Sequence, residues 1–475
     1  LNGNQYLDYF YPKVFPLKVL RSSFWLHSIF YTFLQRFSLF FFGVVSYIIL
    51  VRALLTEQNA VWSLYLMILM IFETVKQGLL RNPTIKFLSL PQYAQQKNEV
   101  QYAALLINVL FSSVAILGLV FFGPSISSLL KSPDLLPLLW WSIGMIVLLI
   151  PFSHCEVMLQ ASYKFSSIFW AYFIRQGFFF TGIVVLYFFF RPHFDLINMM
   201  LLQVVALALG AIVMIWKARS LLAKKAHFNK QVTVQMLQFG KYIFGTNLFS
   251  NLARSFDHFV TANVLNPAEG KSYVAYYNVV SRINTMMDVP SLAAADVLFP
   301  KSVETLETDG LGKVKYYFER MIATILALIV PASVFIFLFP KFVIHILAGP
   351  AYYAVVPILQ LTVLFSITRP LGYLFGSTLD SIGKPKVNFY IGLLYMLISL
   401  AVNYFCLLQF GGPGAAYATV INAVVGMIMM IAVLKKYIHL ELKNVYTYWL
   451  NVYRDAFKMI GKLGKKLLNV SKSSA

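Results

Sequence analysis

Four polar residues recur along one stripe of an otherwise apolar segment. Asn247, Asn251, Arg254 and His258 fall at i, i+4, i+7 and i+11, a spacing that brings them onto a single helix face. Asp257 stands beside the stripe, three residues from Arg254 and so able to pair with it. The next apolar segment carries Asn278, Ser281, Arg282 and Thr285 on one face, with Asp288 a turn further on. Thr32, Gln35 and Arg36 interrupt the first apolar segment of the chain, and Glu73 and Gln77 the second. Ionisable groups at membrane depth are expensive, and they mark substrate or ion pathways. A guanidinium keeps its charge and grips a phosphate group through two parallel N–H donors, while amides and hydroxyls match sugar hydroxyls. Asp257, beside Arg254 and His258, is a candidate for coupling to a proton or sodium gradient, as is Asp288. The competing reading is structural, because polar side chains also hold membrane helices together. Arg175, Arg369 and Asp380 read that way, as does His345, while His154 and Glu156 read as solvated near one end of their segment.

These residues need long helices to position them, and composition requires the helices to cross a bilayer. The chain is 59% hydrophobic and 12% charged, with mean hydropathy +0.71; a soluble domain is roughly 25% charged. A hydrocarbon core about 30 Å thick needs roughly 20 apolar residues per helix. Stretches of that length predict twelve spans at 28–51, 60–80, 100–122, 135–158, 166–190, 195–216, 236–262, 272–299, 316–340, 353–379, 387–409 and 412–434. The runs are continuous, which excludes the alternating strands of a membrane barrel. Net charge is +21, but its placement argues against nucleic acid. Twenty-eight lysines and arginines fall in one set of alternate loops and tails, and five in the other. That bias puts both termini in the cytoplasm and requires an even number of spans. Cys155 and Cys406 stand far apart and suggest neither a disulfide framework nor a metal site. No cleavable signal is visible in the first 27 residues.

Proline and lysine landmarks repeat along the chain. Pro83 and Pro300, then Pro133 and Pro350, are separated by 217 residues; Pro137 and Pro357, then Lys164 and Lys384, by 220. They predict two six-helix halves of like orientation. The expected organisation is a cytoplasmic segment 1–27, an N-lobe 28–216, a basic linker 217–235, a C-lobe 236–434 and a basic amphipathic tail 435–475. Within that tail, 454–468 is expected to lie on the anionic leaflet.

The stretch from Ala275 to Lys436 resembles the C-terminal half of the polysaccharide transporters. These are the O-antigen flippases of the multidrug/oligosaccharidyl-lipid/polysaccharide (MOP) exporter superfamily. The likeness is carried by Tyr276-Tyr277 before Ser281-Arg282, by Leu298-Phe299-Pro300, and by Ile346-Leu347-Ala348-Gly349-Pro350-Ala351-Tyr352. It continues in Gly383-Lys384-Pro385 and in Asn403 with Gly411-Gly412-Pro413-Gly414-Ala415-Ala416. Gly78-Leu79 and Arg81-Asn82 carry it in the first half, and Ala348 departs from the bulky residue usual in the family.

The resemblance implies an all-α, V-shaped, MATE-like fold in the bacterial inner membrane. It implies transfer of an undecaprenyl-diphosphate oligosaccharide between leaflets, with membrane lipids and other polysaccharide assembly proteins as partners. It also implies a pathway lined by spans one, two, seven and eight, hence by Gln35, Arg36, Glu73, Asn247, Asn251, Arg254, His258, Asn278 and Arg282. A multidrug or cation antiporter of the same superfamily is the alternative, although three arginines favour an anionic cargo. A glycan polymerase or ligase fits less well: no external loop exceeds roughly a dozen residues, and neither a phosphate loop nor an HExxH motif occurs.

Overall fold

The computed structural model describes residues 23–458 except 55, 130–131, 224, 226, 265–266 and 456–457, and it describes no side chain at 23–26, 51–52, 56–57, 60, 251–275, 278 or 351. Among the described residues the chain forms helices and no strand, because inside a bilayer a helix satisfies every backbone group within one segment. In chain order these are α1 (Ser23–Ala53), α2 (Thr56–Ser89), α3 (Lys97–Leu129), α4 (Leu135–Ala161), α5 (Phe165–Phe189), α6 (Leu196–Ala218) and α7 (Lys230–Val264). They are followed by α8 (Pro267–Thr308), α9 (Leu311–Leu338), α10 (Pro340–Leu347), α11 (Val356–Leu364), α12 (Arg369–Ser381), α13 (Pro385–Phe410) and α14 (Gly414–Ile438).

Among the described residues, ten spans are long and apolar enough to cross a membrane. Helices α7 and α8, expected as the seventh and eighth spans, have the length at 35 and 42 residues but are less apolar, because they carry the two polar stripes. The tenth span is expected as one continuous helix but is broken. Helix α11 ends at Leu364, a 3-10 turn covers Phe365–Thr368, and α12 restarts at Arg369-Pro370. A proline in the first turn suits a helix start and forbids continuation from behind.

Two apolar cores divide the molecule into lobes. One joins α1, α2, α4, α5 and α6 around Trp62, Tyr65, Leu139, Phe152 and Met214. The other joins α8, α9, α11, α12 and α14 around Phe318, Leu359, Leu374 and Leu379. Phe121, Phe122, Leu129 and Phe189 are exposed, as lipid-facing side chains must be. Lipid tails are as apolar as leucine, so close packing rather than exclusion of water holds such lobes together.

The internal repeat is legible in hydrogen bonds. After α4, the N–H groups of Ser162, Tyr163 and Lys164 donate to the carbonyls of Met158, Gln160 and Leu159. After α12, those of Ile382, Gly383 and Lys384 donate to Thr378, Asp380 and Leu379, the same pattern 220 positions later. Each turn needs one left-handed residue, Tyr163 at φ 58° and Gly383 at φ 80°.

The connections after α2, α4, α6, α8 and α12, together with the chain beyond α14, lie at one end of the bundle, hereafter the basic end. A helix over 442–455 follows α14 and docks beside α9. Its entry is fixed by Glu319, which accepts from the Glu441 N–H (2.9 Å) and from Asn444 (3.1 Å). Lys315 reaches Glu441 at 2.5 Å, and that bond holds the Glu441 carboxyl below the usual carboxylate range. Most of 454–468 lies outside the described residues.

Candidate substrate pathway and inter-lobe gate

The lobes meet along α1 with α8 and along α2 with α7, and small residues decide how closely. A Cβ on Gly78 would lie 2.8 Å from the Phe244 Cα, and one on Gly240 would lie 3.1 Å from the Leu79 carbonyl oxygen. The Gly78 crossing therefore has no room for a side chain and the Gly240 crossing is tight, so that the α2 and α7 backbones touch in the half of each helix nearer the basic end. Asn247 adds a long hydrogen bond across this seam, 3.4 Å from its Nδ2 to the Thr74 carbonyl.

Further along, charge holds the lobes together. Asp296, on α8, accepts from Arg36 of α1 through Oδ2 (2.7 Å) and from Arg81 of α2 through Oδ1 (2.8 Å). Gln160, at the end of α4, accepts from Arg81 Nε at 2.8 Å and donates to the Asp296 carbonyl at 3.1 Å. Val297, the next residue of α8, enters the N-lobe core. Toward the basic end follows an apolar layer, in which Ile85, Leu90, Val157 and Met158 of the N-lobe pack against Phe299 and Val303. At the rim, Tyr163 donates to Glu304 at 2.5 Å, and Lys301 also reaches that carboxylate. Beside these layers the buried Asp380 accepts from Asn388 (3.0 Å) and faces Asn82 and Lys86 of the opposite lobe. An ionic layer, an apolar layer and a polar rim thus close the basic end.

Above the ionic layer, toward the other end, polar groups at membrane depth are exposed: Gln77 on α2, and Ser281, Arg282 and Thr285 on α8. These groups are the candidate lining of a cleft between the lobes, with Arg36, Arg81 and Asp296 at its floor. Arg282 lies over the ring of Tyr47, 5.1 Å from its centroid, a cation–π contact between lobes.

The expected pathway residues divide accordingly. Arg36 reaches the floor with 30% of its side chain exposed; Gln35 is buried and Glu73 half-buried on the N-lobe side. Asn251, Arg254, Asp257, His258 and Asn278 have side chains outside the described residues. Asp288 sits inside the C-lobe, where Arg369 (2.6 Å) and Tyr373 (3.0 Å) share one of its oxygens. His154 and Glu156 are half-buried rather than at a solvated end: α4 runs on to Ala161, and α2 and α5 pack against it. Glu156 accepts from Tyr172 at 3.1 Å and faces Arg81 and Arg36 electrostatically, while His154 borders a small cavity with Leu80 and Asn108. His345 bonds Tyr353 at 2.9 Å. Asp296, Arg81 and Gln160 were not among the expected residues. The signal for Asp296 was present, a carboxylate inside the span 272–299; Arg81 and Gln160 lay at span ends, where polar residues carry no cost.

Residues 49–357 match the family described as polysaccharide biosynthesis protein. Two curated relatives come from Haloferax volcanii. The probable low-salt glycan biosynthesis flippase Agl15 is 20% identical over 182 residues, 38% of this chain and 39% of the relative. The probable flippase AglR is 25% identical over 189 residues, 39% and 40% respectively. The matched stretch thus spans about two fifths of each relative. Among solved structures, a mutant of the Vibrio cholerae MATE transporter VcmN superposes with a TM-score of 0.75 at 14% identity, covering 87% of this chain and 97% of that one. A MOP superfamily transporter from Pyrococcus furiosus, described as having a binding pocket of reverse polarity, gives 0.73 at 13% identity, covering 86% and 94%. The fold is that of the MATE transporters, and with a family match over residues 49–357, most of its length, the chain belongs to the polysaccharide biosynthesis protein family.

Proposed function

We propose that this chain is a flippase that carries a polyprenyl-diphosphate-linked oligosaccharide from the cytoplasmic to the outer leaflet of a bacterial inner membrane. The basic end faces the cytoplasm on this reading, in line with the lysine and arginine bias, and both termini lie there. Transport follows alternating access about the α2–α7 seam, and no covalent bond is made or broken. The observation that carries the reading is the pair of arginines, Arg36 and Arg81, at the floor of the inter-lobe cleft, each with its guanidinium on a carboxylate of the opposite lobe. Two fixed guanidiniums suit the two phosphate groups of a diphosphate. The exposed Gln77, Ser281 and Thr285 offer partners to sugars, and the names of the Haloferax relatives point the same way. Coupling to a proton or sodium gradient would use carboxylates of α7 and α8, Asp257 among them.

A cation antiporter is the second reading, favoured by the MATE-type fold. Reconstitution into liposomes with a labelled undecaprenyl-diphosphate oligosaccharide separates the two. Leaflet reversal by the wild type, with loss of about tenfold or more in Arg36→Ala and Arg282→Ala, is the expected result. Absence of reversal together with efflux of cationic dyes would establish the antiporter instead.

A further inference from the structure

The ionic layer has an uneven composition. Among the described residues, Arg36, Arg81, Gln160, Glu156 and Tyr172 all belong to the N-lobe, and only Asp296 comes from the C-lobe. While the basic end is closed, both guanidiniums rest on the one carboxylate of Asp296. When the lobes part there, α8 takes Asp296 with it. Arg36 and Arg81 then lose the carboxylate that both of them touch, which leaves two fork-shaped cationic donors open. Arg36 also holds a buried Nε with no partner even in the closed arrangement, so its donors are not exhausted by Asp296.

We infer that Asp296 is an internal stand-in for the diphosphate of the cargo, occupying the Arg36–Arg81 pair when the basic end is closed and yielding it when that end is open. The inference rests on the flippase reading for its cargo and adds the subsite and the release step. A ligand shifts an equilibrium between two conformations only through a difference in affinity. Competition supplies that difference: the pair is free in the open state and filled by a carboxylate in the closed one. Diphosphate arriving from the basic side therefore stabilises the open state, and closure brings Asp296 against the pair and displaces the anion upward. Among the described residues, Arg282 on α8 is an exposed cation further toward the other end.

The test uses the purified full-length chain in detergent with farnesyl diphosphate as probe. Asp296→Asn keeps the shape and removes the charge, and it should bind the probe about tenfold or more tightly than the wild type. Asp296→Glu, which keeps the charge, should show the weaker wild-type affinity. Farnesol, which lacks the diphosphate, should gain nothing from Asp296→Asn. Spin labels at Ser162 and Thr308, on opposite lobes at the basic end, should move apart in Asp296→Asn and in the wild type on addition of the probe. Unchanged affinity in Asp296→Asn, an equal gain for farnesol, or no change of label distance would each overturn the inference. A monodisperse elution profile for both variants guards against reading misfolding as lost affinity. If the proteoliposomes show no leaflet reversal while Asp296→Asn still tightens binding, the cargo assignment fails and the competition at the arginine pair stands.

Discussion

Two carboxylates on α8 have contrasting surroundings, and the contrast separates packing from pathway. Asp288 is 4% exposed and is held within its own lobe by Arg369 and Tyr373. A pair fixed inside one lobe does not change partners when the lobes move. Its worth lies in the cost of breaking it, because removing one member of a buried pair leaves the other charge uncompensated, typically at 3–5 kcal/mol. The Arg369 side chain is 36% exposed, so solvent softens that cost. Arg369→Ala should lower stability by about 2 kcal/mol, measured as thermal unfolding in detergent, and Asp288→Asn in the same chain should recover part of the loss. Asp296 differs because its two partners lie across the lobe boundary. Any motion of the lobes makes or breaks it.

At the scale of the element, the α2–α7 seam fixes what motion is available. Gly78 and Gly240 let two backbones touch, and close backbone contact is how membrane helices associate in the absence of a hydrophobic drive. Gly78→Ala places a Cβ where Phe244 backbone already stands, so it should cost about 1–3 kcal/mol by overpacking. Gly78→Leu should push α2 from α7 and abolish transport while leaving membrane insertion intact, checked by a transport assay beside a topology reporter. Wild-type transport by Gly78→Leu would show that the seam is no pivot. The broken span formed by α11 and α12 belongs to the same scale. Pro370 explains where α12 restarts, and the 3-10 turn at Phe365–Thr368 keeps Ser366 within 3.2 Å of Asn284 on α8.

Across the whole molecule, the layers at the basic end form one closed barrier, and the rim contact between Tyr163 and Glu304 spans the two lobes at 2.5 Å. Cysteines at these two positions, joined by a short bifunctional thiol reagent, should lock the barrier shut and stop transport, with each single cysteine variant treated alike remaining active. The native Cys155 and Cys406 are buried and leave the reagent to the engineered pair. Full transport after complete cross-linking would mean that this end does not open in the cycle.

Much of this architecture was legible in the sequence, and the reason is the bilayer itself. A span must be long, apolar and helical, so Tyr102 to Phe122 or Gly414 to Leu434 could be read as crossings without any fold in hand. The 220-residue offset between Lys164 and Lys384 pointed to a repeat, and both lysines close turns with the same hydrogen bonds, because a helix-ending turn is a local structure. Polar stripes on α7 and α8 stood out for the same energetic reason, since a charge within a span is costly wherever it points. The tertiary structure alone decided which of those charges meet. Asp288 and Asp296 lie two turns apart on one helix, yet one faces its own lobe and the other reaches across to Arg36 and Arg81. That choice depends on the rotation and approach of helices more than 200 residues apart in sequence, set by glycine contacts that no periodicity encodes.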